Sequence, residues 1–270
     1  MRRYLSFLFL AYALVGGLIA LAMLQAHLTF ARTMGPVLVG AALSAAGVLA
    51  QGLYPKGLSD PGLIGIASAS AVGASFIIGN NISGYGTRWA TYGAILLALV
   101  AGFLILRWSP EWRYTFALVL LAIAILLKHS LGFLWAFGSF EKLTHKNIEV
   151  LASYIEIGII ISFFVARKLD RMSKLVQIWA IIAIAFLVGT SVSMTGLITM
   201  VGLVIPQLAT VLIGKDWRKE LSLSIGLGAA LFLLIDLVTI DVYDVVAPGI
   251  LVAVIGLPAA IILRRVNAGG

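Results

Sequence analysis

From Tyr4 to Leu263 the sequence is a nearly unbroken succession of apolar stretches, separated only by short clusters of charge, proline and glycine. A helix needs about 20 predominantly apolar residues to cross the hydrocarbon of a bilayer, and shorter ones serve inside a bundle. Cutting at the clusters gives ten segments, at roughly 4–24, 35–53, 62–79, 89–107, 114–136, 149–166, 176–195, 196–213, 220–240 and 248–263. The division between the seventh and eighth is the least marked, because only Thr195-Gly196 interrupts continuous apolar sequence there. Composition agrees. Hydrophobic residues make up 61% of the chain and charged residues 11%, against about 45–50% and about 25% in soluble domains. The loops are short and none is of low complexity, so residues 1–270 read as one all-α, polytopic transmembrane domain. The first segment is too long for the apolar core of a signal peptide, lacks a clear cleavage site and is read as retained.

Charge sets the orientation. Nineteen Lys+Arg against eleven Asp+Glu give a net charge of +8, which in a soluble protein would suggest nucleic acid. In a polytopic chain it suggests loops that obey the positive-inside rule. With the N-terminus in the cytoplasm, the inside holds Arg2, Arg3, Lys56, Arg107, Arg113, Arg167, Lys168, Arg171, Lys174, Lys215, Arg218, Lys219, Arg264 and Arg265. The outside holds Arg32, Arg88, Lys142 and Lys146, and Lys128 falls within a span. Fourteen cations against four favour ten spans with both termini inside. Removing one span would export Lys215, Arg218, Lys219 and the C-terminal arginines.

Few residues could carry chemistry. The absence of cysteine excludes disulfides, thiolate metal sites and cysteine nucleophiles. His27, His129 and His145 are scattered, so no metal site is expected, and no hydrolase or phosphate-loop motif occurs. The chain is therefore read as moving something, without hydrolysing ATP itself. Ionisable residues inside spans are functional candidates. Lys128-His129 lies toward the outer end of the fifth segment, either lining a translocation path or snorkelling to the interface. Glu156 lies inside the sixth, within reach of Lys128 or Lys146 across helices, and Asp236 near the outer end of the ninth. Segments 35–53 and 62–79 carry Gly, Ala and Ser at spacings of three and four, which let helix backbones approach closely.

Residues 31–73, ARTMGPVLVGAALSAAGVLAQGLYPKGLSDPGLIGIASASAVG, residues 196–236, and PGILVAVIGLP at 248–258 resemble the FecCD family, permease subunits of ABC importers for iron-siderophores, haem and cobalamin. Arg32-Thr33, Gln51, Asp60-Pro61-Gly62, Gly65, Gly202, Pro206, Asp236 and Pro248-Gly249 fall at the family's positions, and Trp135 fits its W-x-x-G-S motif. The resemblance implies a dimer of permeases with the path on its axis, Lys128, His129, Trp135 and Glu156 being candidates to line it. It implies two cytoplasmic ATPase subunits that hold ATP and Mg, no cofactor in this chain, and an extracytoplasmic binding protein. The expected coupling surface is Lys56, Asp60, Pro61, Arg167, Lys168, Arg171 and Lys174. The expected docking surface for the binding protein is Arg32, Arg88, Lys142 and Lys146. The implied location is the cytoplasmic membrane.

The departures concern coupling. The family's main ATPase-contacting segment is a pair of short helices between the sixth and seventh spans, whereas only RKLDRMSKL, 167–175, stands here. Lys56-Gly57 replaces the family's Asn-Pro, and Gln207 its His. Two functions follow: an ABC importer permease for a metal chelate whose short loop still engages an ATPase, or a divergent relative that does not couple to ATP in the usual way.

Overall fold

The computed structural model describes residues 2–24, 30–54, 59–79, 87–127, 145–198, 200–239 and Pro258. Among them are nine helices and no strand: α1 (Arg2–Leu24), α2 (Phe30–Leu53), α3 (Ile66–Gly79), α4 (Thr87–Ile105), α5 (Pro110–Leu127), α6 (His145–Ala166), α7 (Lys174–Thr195), α8 (Val201–Ile213) and α9 (Trp217–Thr239). They coincide in order with the first nine apolar segments. The tenth segment lies outside the described residues except for Pro258, as do Lys56, Lys128, His129, Trp135, Lys142, Pro248 and Gly249. Five of the nine, α1, α2, α4, α7 and α9, are long and apolar enough to cross a membrane.

The faint break after Thr195 is a real one. Gly196 ends α7 at φ +83, with its N–H bonded to Val192 O at 2.9 Å. Met200 then takes φ +75, left-handed and strained for a residue with a side chain, directly before α8. At 13 residues, α8 is about 20 Å long, too short to cross the hydrocarbon alone.

Helix α2 is the centre of the bundle, lined by buried Val39, Leu43, Ala46, Leu49 and Ala50, while α1 packs at the edge and leaves Phe9, Leu10 and Leu24 largely exposed. Lipid is as apolar as these side chains, so close backbone approach replaces hydrophobic drive. A Cβ on Gly40 would collide with the carbonyl of Gly228 in α9, and one on Gly47 with Gly202 in α8. Gly73 of α3 meets Gly93 of α4 in the same way. These are backbone-to-backbone seams, which only glycine allows. Polar pairs add to them: Thr91 and Ser193 share a buried hydrogen bond of 2.9 Å between α4 and α7.

The turns that carry positive charge meet at one end of the bundle. Leu169, in the turn after α6, packs on Gly52 near the end of α2. Asp170, in the same turn, bonds to Trp217 at the start of α9. Arg3 of α1 shares a crevice with Leu212 of α8. Packing thus gathers Arg3, the 167–174 cations, Lys215, Arg218 and Lys219 on a single face, the face that charge counting places in the cytoplasm.

Candidate functional site

Beneath that face lies a seam between the loop 59–65, α2 and α8. Asp60 is 2% exposed. Its Oδ2 accepts hydrogen bonds from the N–H groups of Gly62 at 2.8 Å and Leu63 at 3.4 Å. The backbone N–H groups of Met200 and Gly202 bond to it as well. A carboxylate so placed satisfies donors at the start of α8 and meets the positive end of its dipole. Gly65, at φ +97, then turns the chain into α3. Asp60 and Pro61, expected on the coupling surface, are thus buried: the loop folds inward because its carboxylate is needed at the α8 terminus.

Gln51 supports the same terminus from α2. Its Nε2 donates to Gly202 O at 3.0 Å and Leu203 O at 3.3 Å. Pro206 has no N–H to offer the carbonyl four residues earlier, that of Gly202. Gln51 supplies the missing donor, which explains why Gln51, Gly202 and Pro206 occur together. At the same level the Tyr54 hydroxyl donates to Gly102 O at 3.0 Å, and the Arg113 guanidinium lies 4.7 Å over its ring and donates to Ile105 O at 3.2 Å. Arg113 is thereby buried at the join of α4 and α5, a role that charge counting does not show.

Of the other coupling candidates, Arg167, Lys168 and Arg171 lie in the turn 167–173 and Lys174 begins α7. Lys168 N bonds to Val165 O at 2.8 Å and Arg171 N to Lys168 O at 2.9 Å, so the chain reverses in tight turns with no additional helix. Ser173 caps α7 by accepting from Val176 N at 3.3 Å. Leu169 is 3% exposed and wedged on Gly52, and Trp217 Nε1 donates to Asp170 Oδ1 at 2.9 Å. The turn is thus held at two points, and Arg167, Lys168, Arg171 and Lys174 project from it, all exposed. Lys215 Nζ stacks 4.4 Å over the Trp217 ring. Asp216 caps α9 by accepting from Arg218 N and Lys219 N, and the Lys219 ammonium at 2.7 Å holds its carboxyl below the usual carboxylate range. The Asp170–Trp217 clamp escapes sequence reading because nothing local marks a tryptophan as the partner of a turn far back in the chain.

At the opposite end, Arg32 Nη1 lies 2.8 Å from Asp236 Oδ2, with the two side chains 11% and 0% exposed. Arg32, expected to dock a binding protein, is half-buried and pairs with a buried aspartate, because α2 and α9 pack antiparallel and bring the two to one level. Of the other outer cations, Arg88 is exposed at the start of α4 and Lys146 is the second residue of α6. Glu156 is exposed on α6. Gly62 and Gly65 are buried in the loop. Among the described residues no group of three or more His, Cys, Asp or Glu side chains is placed to hold a metal ion.

The model of the FecCD transport family matches residues 15–265. The chain belongs to the FecCD transport family. Among its relatives, it is 29% identical over 275 residues to the uncharacterized ABC transporter permease protein YvrB of Bacillus subtilis, covering 88% of this chain and 78% of that protein. It is 29% identical over 280 residues to the ferric enterobactin transport system permease protein FepD of Escherichia coli, covering 88% and 81%. A structure described as a metal-chelate type ABC transporter in an inward-facing conformation superposes with a TM-score of 0.81 at 22% identity, covering 97% of this chain and 99% of that one. The superposition establishes the fold of the FecCD chain, and the family match together with the apolar helices makes it a multi-pass membrane protein.

Proposed function

We propose that this FecCD chain is the permease subunit of an ABC importer that carries a metal chelate, of the iron-siderophore, haem or cobalamin kind, inward across the cytoplasmic membrane by alternating access. Two copies, or this chain and a sister permease, would enclose the path. ATP and Mg would reside in separate ATPase subunits, and an extracytoplasmic binding protein would deliver the chelate to the outer face. The observation that carries the reading is the 167–173 turn, whose three exposed cations, with Lys174 at the start of α7, stand on a support fixed by Leu169 and by the Asp170–Trp217 bond. A turn anchored at two points can pass a push from a docked ATPase into α2 and α9, which a loose loop could not. Its brevity favours the second reading, a relative uncoupled from ATP, so the two are separated by experiment. Purification from the native membrane in mild detergent is expected to bring an ATP-binding-cassette subunit in near-equal amount. Charge reversal by R171E and K174E together is expected to cut ATP-dependent uptake at least about tenfold while size-exclusion behaviour is kept, as loss of docking charge would. No co-purifying ATPase, or unaltered uptake in the reversed variant, would assign the chain to the uncoupled reading.

A further inference from the structure

An apolar groove of about 520 Å³ runs between the cytoplasmic halves of α6 and α7. Ile160, Phe164, Leu175, Val176 and Trp179 line it, and Lys168 and Ser173 close its cytoplasmic end. Phe164, Leu175 and Trp179 are each more than half exposed, so the groove opens sideways from the bundle. Ile160 stands six residues before the end of α6, which puts the groove floor about 9 Å below that end. Apolar walls at this depth suit a hydrocarbon chain better than a polar partner segment. Trp179 lies one to two turns into α7, where interfacial tryptophans gather. Above the mouth stand the exposed Arg167, Lys168, Arg171 and Lys174. The one acid among them, Asp170, is turned toward Trp217.

We propose that this groove binds an anionic phospholipid of the inner leaflet, an acyl chain lying along α6 and α7 and the phosphate received by Lys168 and Lys174. Apolar walls at membrane depth under a cationic rim match a molecule with a hydrocarbon tail and a negative head, and each cation near such a headgroup adds to the attraction. The inference rests on the cytoplasmic orientation of the proposed function, but not on transport or on an ATPase. It would place a lipid directly under the turn expected to receive the ATPase.

The test is native mass spectrometry of the full-length protein in detergent, titrated with phosphatidylglycerol and with phosphatidylcholine. Wild type is expected to retain phosphatidylglycerol preferentially. The double variant K168Q/K174Q is expected to bind it about tenfold or more weakly, and Trp179→Ala to weaken both lipids. Arg107→Gln, at an exposed position beyond α4, serves as the control and keeps the wild-type preference. Equal retention of the two lipids by wild type, or unchanged phosphatidylglycerol retention in K168Q/K174Q, would overturn the proposal. So would loss of self-association in the groove variants with lipid retention intact, which would make the groove a contact between copies. Because the readout is lipid mass, it is independent of whether an ATPase binds.

Discussion

Arg32 and Asp236 form an ion pair at 2.8 Å, with the Asp236 side chain fully buried. A buried carboxylate without a counter-ion is among the most unfavourable groups a protein can hold, and breaking a buried pair by removing one partner costs about 3–5 kcal/mol. Arg32→Glu is therefore expected to destabilise the whole chain, with the apparent Tm in detergent falling well below wild type. The exchanged pair R32D/D236R should recover part of the loss; no recovery would show that the pair is not what the single variant broke. Gln51 and Pro206 form a second coupled unit. Gln51→Ala leaves the Gly202 carbonyl without its donor and is expected to cost about 1–3 kcal/mol. In a Pro206→Ala background the helix regains its own N–H, so the same Gln51→Ala change should cost less. Additive effects in that double-mutant cycle, read by thermal unfolding, would refute the link.

At the scale of elements, the seams between helices depend on glycine where two backbones touch, and the position of each glycine decides what it does. Gly40 faces the carbonyl of Gly228, whereas Gly16 on α1 has open space where a Cβ would go. Gly40→Leu is expected to abolish monodisperse protein, because α2 and α9 cannot part without opening the bundle centre. Gly16→Leu is expected to leave yield and elution unchanged, since lipid accepts the added side chain. Equal behaviour of the two in fluorescence-detected size exclusion would mean that the α2–α9 seam is not tight. The sequence shows both as glycines in apolar helices, and no periodicity separates them. Their difference arises from where the partner helix runs. The same holds for α8: the break before it is legible as Thr195-Gly196, but not that α8 starts at Val201 and is too short to span, nor that Asp60 and Gln51 converge on its first turn.

For the molecule as a whole, the apolar segments were enough to give an all-helical membrane chain and the order of its described elements, and the distribution of lysine and arginine gave the expected orientation. Length and transfer free energy act locally, and every residue of a span contributes to them. The family motifs marked which residues matter. What each of them does needed the tertiary structure. Asp60, read as a surface residue for a partner, is buried where it satisfies a helix terminus, and Arg32, half-buried, pairs with an aspartate. Lys168, Arg171 and Lys174 remain on the surface, on a turn whose anchors, Gly52 and Trp217, belong to distant segments. A charge in sequence has no sign of its partner, because partners are chosen by which helices pack side by side. That choice depends on the shapes of small-residue seams across the bundle, which local composition does not encode.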